Sequence, residues 1–77
     1  ATLTALAQLT SRERDVIELI LVGQSMKQIS AELGISIQTT AKHRMRILEK
    51  FAVKNDVQLL LTVFPVMDAT GQLPKQS

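Results

Sequence analysis

Four stretches of the chain space their apolar residues for helices. Val16, Ile17 and Ile20 form one buried stripe, and Gly23 beyond them suits the left-handed conformation that ends a helix. Upstream, Thr10 and Glu13 occupy the two positions of a capping box, so this predicted helix starts at Thr10. Met26, Ile29 and Leu33 then recur at i, i+3 and i+7, with Ser25 as N-cap, Gln28 at the box position and Gly34 as the stop. Ser36 caps a third helix, which holds Thr39 in its first turn and runs to about Phe51. A fourth begins near Asn55 or Asp56 and carries Val57, Leu60, Leu61 and Phe64. Nothing alternates with a period of two, so no strand is predicted.

Only Gly34-Ile35-Ser36 separates the second and third predicted helices, which is the spacing of a tight helix-turn-helix. The expected fold is all-α: a four-helix domain over residues 9–64, with the helix-turn-helix formed by helices two and three. Residues 1–8 are small and apolar with Thr and Gln, and fit a linker or a frayed helical turn. Residues 65–77 include Pro65, Gly71 and Pro74 and read as a loosely ordered tail.

Composition narrows the function. Apolar residues make up 45% of the 77 positions, yet only Phe51 and Phe64 are aromatic, so the core is built from aliphatic side chains that favour helices. A chain this short forms one domain and buries only about 60% of its unfolded surface. It has no cysteine, which rules out disulfides and thiolate metal sites and fits a reducing cytoplasm. His43 is the only histidine, so no multi-histidine metal site can form. No apolar run approaches the roughly 18 residues of a membrane span. The start lacks the basic region of a signal peptide, and without an initiator Met the chain is expected to be a piece of a longer protein.

There is no glycine-rich phosphate loop, no nucleophile with an adjacent base and no paired carboxylates, so neither an enzyme nor a cofactor site is expected. Glu13 and Asp15 are first-turn residues favoured by the helix dipole. The net charge is only +2, but it is unevenly placed. From Ser36 to Lys50, the cations Lys42, Arg44, Arg46 and Lys50 face Glu49 alone, whereas Ser11–Leu21 is net acidic. Positive charge gathered on one helix points to nucleic acid.

Several short motifs fall in one continuous register: Leu9-Thr10-Ser11-Arg12-Glu13-Arg14-Asp15-Val16, Gly23-Gln24-Ser25-Met26-Lys27-Gln28-Ile29, Leu33-Gly34-Ile35-Ser36, then Thr39, His43, Ile47, Lys50 and Val53-Lys54-Asn55. Over about residues 9–64 this resembles the LuxR-type (GerE-type) helix-turn-helix of bacterial transcription regulators. The resemblance implies an output domain, C-terminal to a receiver or ligand-binding domain, that binds promoters with its third helix and dimerises through its fourth. It also implies a backbone grip by Lys27. Six positions depart from the family pattern. Thr40 stands where Val is usual, Ala41 for Lys, Arg44 for an aliphatic residue, Asp56 for Arg, Ser30 for Ala and Ala52 for Gly. The Ala41 change removes a cation from the groove, and Asp56 puts a negative charge where phosphate contacts are usual.

At 100° per residue, Thr40, Arg44, Ile47 and Phe51 share the core side of the third helix, and Gln38, Lys42, Met45 and Glu49 share the opposite side, flanked by Ala41 and Arg46. A major groove about 12 Å wide admits one helix. Candidate base contacts are therefore Gln38 to adenine, Lys42 to guanine, and Ala41 and Met45 to thymine methyl groups. Candidate contacts to the DNA backbone are Ser25, Lys27, Ser36, Thr39, His43, Arg46, Lys50 and Lys54.

Ser25, Ser36 and Thr10 are helix caps first, and His43 is expected at the edge of the core. Arg46 and Lys50 could equally pair with Glu49 and Asp56. Arg44, on the core side, must snorkel to the rim or pair with a carboxylate such as Glu18 or Glu32. The fourth helix is apolar on more than one face, and Leu59, Val63 and Phe64 are its candidate dimer contacts. The expected partners are thus double-stranded DNA and a second copy of the chain, with no membrane. Two other functions fit the same syntax: a sigma-factor region-four-like domain that binds promoter DNA and RNA polymerase, and a helical interaction module that has lost groove reading.

Overall fold

In the computed structural model, residues 2–67 are described, and they form five helices and a closing turn. These are α1 (Thr2–Ala7), α2 (Ser11–Leu21), α3 (Met26–Leu33), α4 (Ile37–Phe51) and α5 (Asp56–Val63), followed by a 3-10 turn at Phe64–Val66. Helices α2 to α5 are the four expected from the apolar spacing. The described residues contain no strand, and no helix among them is long and apolar enough to cross a membrane.

Local capping fixes most of the boundaries. The Thr10 hydroxyl accepts from the Glu13 amide at 3.1 Å, and Glu13 Oε1 accepts from the Thr10 amide at 3.0 Å. Ser25 and Gln28 close the same box on α3 at 3.2 and 2.9 Å. Ser36 caps α4 through the Thr39 amide, and Asn55 caps α5 through the Gln58 amide. At the other ends, Gly34 terminates α3 at φ 68° and Ala52 terminates α4 at φ 56°. Ala52 thus holds a left-handed conformation that is costly for any residue with a Cβ.

The central helix is α4, and α1, α2, α3 and α5 all pack against it. Val16 and Ile17 from α2, Ile29 from α3, Ile47 from α4, and Leu59 and Val63 from α5 are fully enclosed there. Residues 1–8, expected to be a linker or frayed turn, differ: residues 2–7 form α1, and Ala5, Leu6 and the following Leu9 join the core. A six-residue helix is not stable alone. It persists because two apolar side chains find α4 and because the carbonyl of Gln8 accepts from the Lys50 ammonium at 2.9 Å. Of the expected loose tail, Val66 and Met67 pack half-buried against the core, and residues 68–77 lie outside the described residues.

Lys50 also donates to Glu13 Oε1, and the Glu13 carboxylate is only 1% exposed. Burial pushes that carboxyl up, but the Lys50 ammonium and the Thr10 amide outweigh burial and hold it below its ordinary value of 4.5. A carboxyl held low stabilises the fold above its unfolded pKa, and that contribution is lost as pH falls through the native value. Glu13→Gln should therefore cost about 2 kcal/mol at neutral pH, the low end for breaking a buried pair because Lys50 is partly exposed. The gap between wild type and variant should narrow in urea melts taken from about pH 6 to about pH 3. A gap that stays constant with pH would show that the carboxylate charge contributes nothing.

Candidate nucleic-acid interface

The turn between α3 and α4 is set by its own residues. Gly34 supplies the left-handed step, the Ile35 amide returns to the Ser30 carbonyl at 3.1 Å, and Ser36 starts the next helix. Below the turn, the buried hydroxyls of Ser30 and Thr40 meet at 2.7 Å. Ser30 also reaches the Met26 carbonyl at 2.7 Å and Thr40 the Ser36 carbonyl at 3.0 Å. Two hydroxyl hydrogens fill two of these three contacts at a time, and the Ser36 carbonyl already accepts the Thr40 amide. The pair ties α3 to α4 at their closest approach.

Above that joint, α4 presents Gln38, Ala41, Lys42, Met45, Arg46 and Glu49 to solvent, as the helical spacing requires. Ser25 and Lys27 are exposed at the start of α3, Ser36 and Thr39 at the start of α4, and Lys54 in the turn after α4. The Ser36 hydroxyl donates to Thr39 Oγ1 at 2.9 Å, so the Thr39 hydroxyl hydrogen points elsewhere. His43 is half-buried, with Nδ1 enclosed and without a hydrogen-bond partner.

Ion pairing sorts the cations. Arg12 pairs with Asp15, Arg14 with Glu18, Arg44 with Asp56 and Lys50 with Glu13. Among the described residues, Lys27, Lys42, Arg46 and Lys54 have no carboxylate partner. The uncompensated positive charge therefore lies on α3, α4 and the turn after α4, and the paired charge lies largely on α2 and in the interior.

Three expectations are corrected by these positions. Lys50 is held inward by Glu13 and Gln8, so its ammonium is committed to the fold and does not serve as a backbone contact. Arg44 pairs with neither Glu18 nor Glu32. Its Nε donates to Asp56 Oδ1 at 2.9 Å, which also neutralises the negative charge at the start of α5. Leu59 and Val63 are fully buried in their own core and offer nothing to a second copy. Phe64 is 48% exposed and, with Val57 and Leu61, forms the outer apolar face of α5 and the turn that follows it. Ile37, an exposed apolar residue in the first turn of α4, is not among the expected contacts. The signal for it was present in the i, i+4, i+8 spacing of residues 37, 41 and 45.

Residues 7–63 match the family model described as bacterial regulatory proteins, luxR family. The chain belongs to the LuxR family. It is 48% identical over 56 residues to the transcriptional regulatory protein UhpA of Salmonella typhimurium and 38% identical over 58 residues to the transcriptional regulatory protein TdiR of Thauera aromatica. It is also 38% identical over 53 residues to the spore germination protein GerE of Bacillus subtilis. These stretches cover 73%, 75% and 69% of the chain, and 29%, 26% and 72% of the respective relatives. The chain thus spans under a third of UhpA and TdiR. No solved structure matches it. Its helix-turn-helix is the LuxR-type DNA-binding unit of transcription regulators, a family that is not one of enzymes.

Within the LuxR-type pattern, four of the six departures meet in space as two pairs: Ser30 with Thr40, and Arg44 with Asp56. The hydroxyls of Ser30 and Thr40 stand where the resemblance implies Ala and Val, and each lies within hydrogen-bonding distance of the other and of a carbonyl one turn back. Ser30→Ala and Thr40→Val should each cost about 1 kcal/mol. The double variant should cost at least about 0.5 kcal/mol less than the sum, because it restores an apolar contact. Chemical denaturation of the four proteins measures this coupling, and strict additivity would show that the hydroxyls act independently.

Proposed function

We propose that the chain is the output domain of a bacterial transcription regulator, acting in the cytoplasm, and that it places α4 in the major groove of its operator. The observation that carries this reading is the sorting of cations. Four salt bridges absorb Arg12, Arg14, Arg44 and Lys50, while Lys27, Lys42, Arg46 and Lys54 stay exposed and without a carboxylate partner on α3, α4 and the turn after α4. Unpaired cations next to solvent-exposed helix N-termini suit a polyphosphate backbone, where each neutralised phosphate releases a counterion. In this reading Lys42, at the centre of the outward face, donates to a base edge, most favourably guanine, and Gln38 reads adenine. Lys27, Arg46 and Lys54, with the hydroxyls of Ser25, Ser36 and Thr39 and the ring of His43, hold phosphates.

Lys42 and Lys27 separate base reading from backbone binding. Lys42→Ala should lose roughly 1–3 kcal/mol at the preferred site and relax preference at one base pair. Lys27→Ala should weaken all sequences about equally and lower the salt slope by about one unit. Binding isotherms on selected and random duplexes, at several salt concentrations, measure both. Equal weakening on both duplexes by Lys42→Ala would make Lys42 a phosphate contact and rotate the helix in the groove.

The same reading makes the domain a weak dimer. Val57, Leu61 and Phe64 remain exposed on the outer face of α5 and the turn after it once the core is complete, and a second copy of that face is their simplest cover. Sedimentation at rising concentration should show reversible dimerisation that Leu61→Glu abolishes without lowering the melting temperature. A species that stays monomeric on DNA, with no cooperativity between half-sites, would remove this interface.

A further inference from the structure

One edge of α4 is apolar and exposed along three turns. Ile37 is 50% exposed and Met45 is 56% exposed, and Ala41 lies between them on the same line at i, i+4 and i+8. None of the three is needed by the core, which takes Thr40, Ile47, Leu48 and Phe51 from α4 instead. Because Ala41 is short, the surface beside it sinks into a shallow depression lined by Ala41, Lys42, Met45, Arg46 and Glu49. The stripe therefore has both an apolar ridge and an adjoining open depression.

We infer that Ile37, Ala41 and Met45 read thymine methyl groups, so that the preferred operator carries thymines on one strand within a run of about three to four base pairs. This rests on the major-groove placement of α4 proposed above. The unpaired cations Lys42 and Arg46 lie next to the stripe, so whatever covers the apolar edge must also bring negative or acceptor groups to both. Duplex DNA meets both needs at once, with a base edge for Lys42, a phosphate for Arg46 and an apolar group for the stripe. That group is the C5-methyl of thymine, the apolar feature of the major-groove edge. The extent follows from geometry. Eight residues of helix rise about 12 Å, which spans three to four base pairs at about 3.4 Å per step. A stripe confined to one edge of the helix faces one strand of the groove. Ile37 and Met45 become specificity-determining residues at the two ends, and Ala41 is the notch between them.

The test replaces thymine by uracil, which keeps the pairing and removes only the methyl group. A preferred duplex is first selected from a random pool with the chain, and each of its thymines is then replaced singly. Affinity should fall about fourfold for each methyl that the stripe buries. The sensitive thymines should lie on one strand within about four base pairs. Met45→Ala should abolish the penalty at one end of that run and Ile37→Ala at the other. Both side chains are half-exposed, so both variants should melt with the wild type. Met45→Leu should keep the penalty. Uracil tolerated at every position, or penalties unchanged in both alanine variants, would overturn the inference while leaving site-specific binding intact. Failure to select any sequence from the pool would instead overturn the groove reading on which it rests.

Discussion

A carboxylate that is 1% exposed is tolerable only if other charges and donors come to it, and Glu13 sets that requirement for this fold. Its oxygen accepts from the Thr10 amide, which starts α2, and from the Lys50 ammonium, which belongs to the last turn of α4. Lys50 in turn reaches the carbonyl of Gln8 just beyond α1. One buried charge thus determines where α1, α2 and the C-terminal end of α4 converge. The other end of α4 is held by the Ser30–Thr40 hydroxyls against α3. A helix fixed at both ends from the inside has its outward face rigidly aimed at solvent.

What the sequence disclosed is what depends on near neighbours. Thr10, Ser25 and Ser36 act through residues three positions on, so their caps, and hence the helix starts, could be read along the chain. The outward face of α4 was equally legible, because helical spacing alone separates Lys42 from Ile47. Long-range partners were not. Lys50 lies 37 positions from Glu13, and nothing local distinguishes it from the solvated lysines near it. Arg44 was recognisable as misplaced but not as Asp56's partner, because the choice depends on how α5 returns across α4. Residues 2–7 escaped because so short a helix owes its existence to α4 rather than to its own pattern. In α5, apolar residues occupy several faces, so periodicity could not tell the buried Leu59 and Val63 from the exposed Leu61.

Charge is allocated rather than simply accumulated. A net charge of +2 is small for a domain that binds a polyanion. The field at the reading face depends instead on which cations are already committed. Pairing withdraws Arg12, Arg14, Arg44 and Lys50 from that face, and the acidic residues that do so lie on α2 and at the start of α5. The surface of α2, with Arg12 paired to Asp15 and Arg14 to Glu18, is left close to neutral, so the positive field is concentrated on α3, α4 and the turn after α4.

Domains that read DNA with a single helix invite the exchange of that helix as a way to move specificity between scaffolds. The way α4 is built in here works against it. Thr40, Arg44 and Lys50 each end on a partner outside the helix, namely Ser30, Asp56 and Glu13. Transplanted alone, α4 would bring a buried hydroxyl, a guanidinium and an ammonium to neighbours lacking their complements, while the scaffold left behind would keep an uncompensated interior carboxylate. Any portable unit must therefore contain at least the continuous segment from Gln8 to Asp56. The helix-turn-helix of this protein is inherited as a block, with the solvent-facing residues on one side of α4 and the conditions for carrying them on the other.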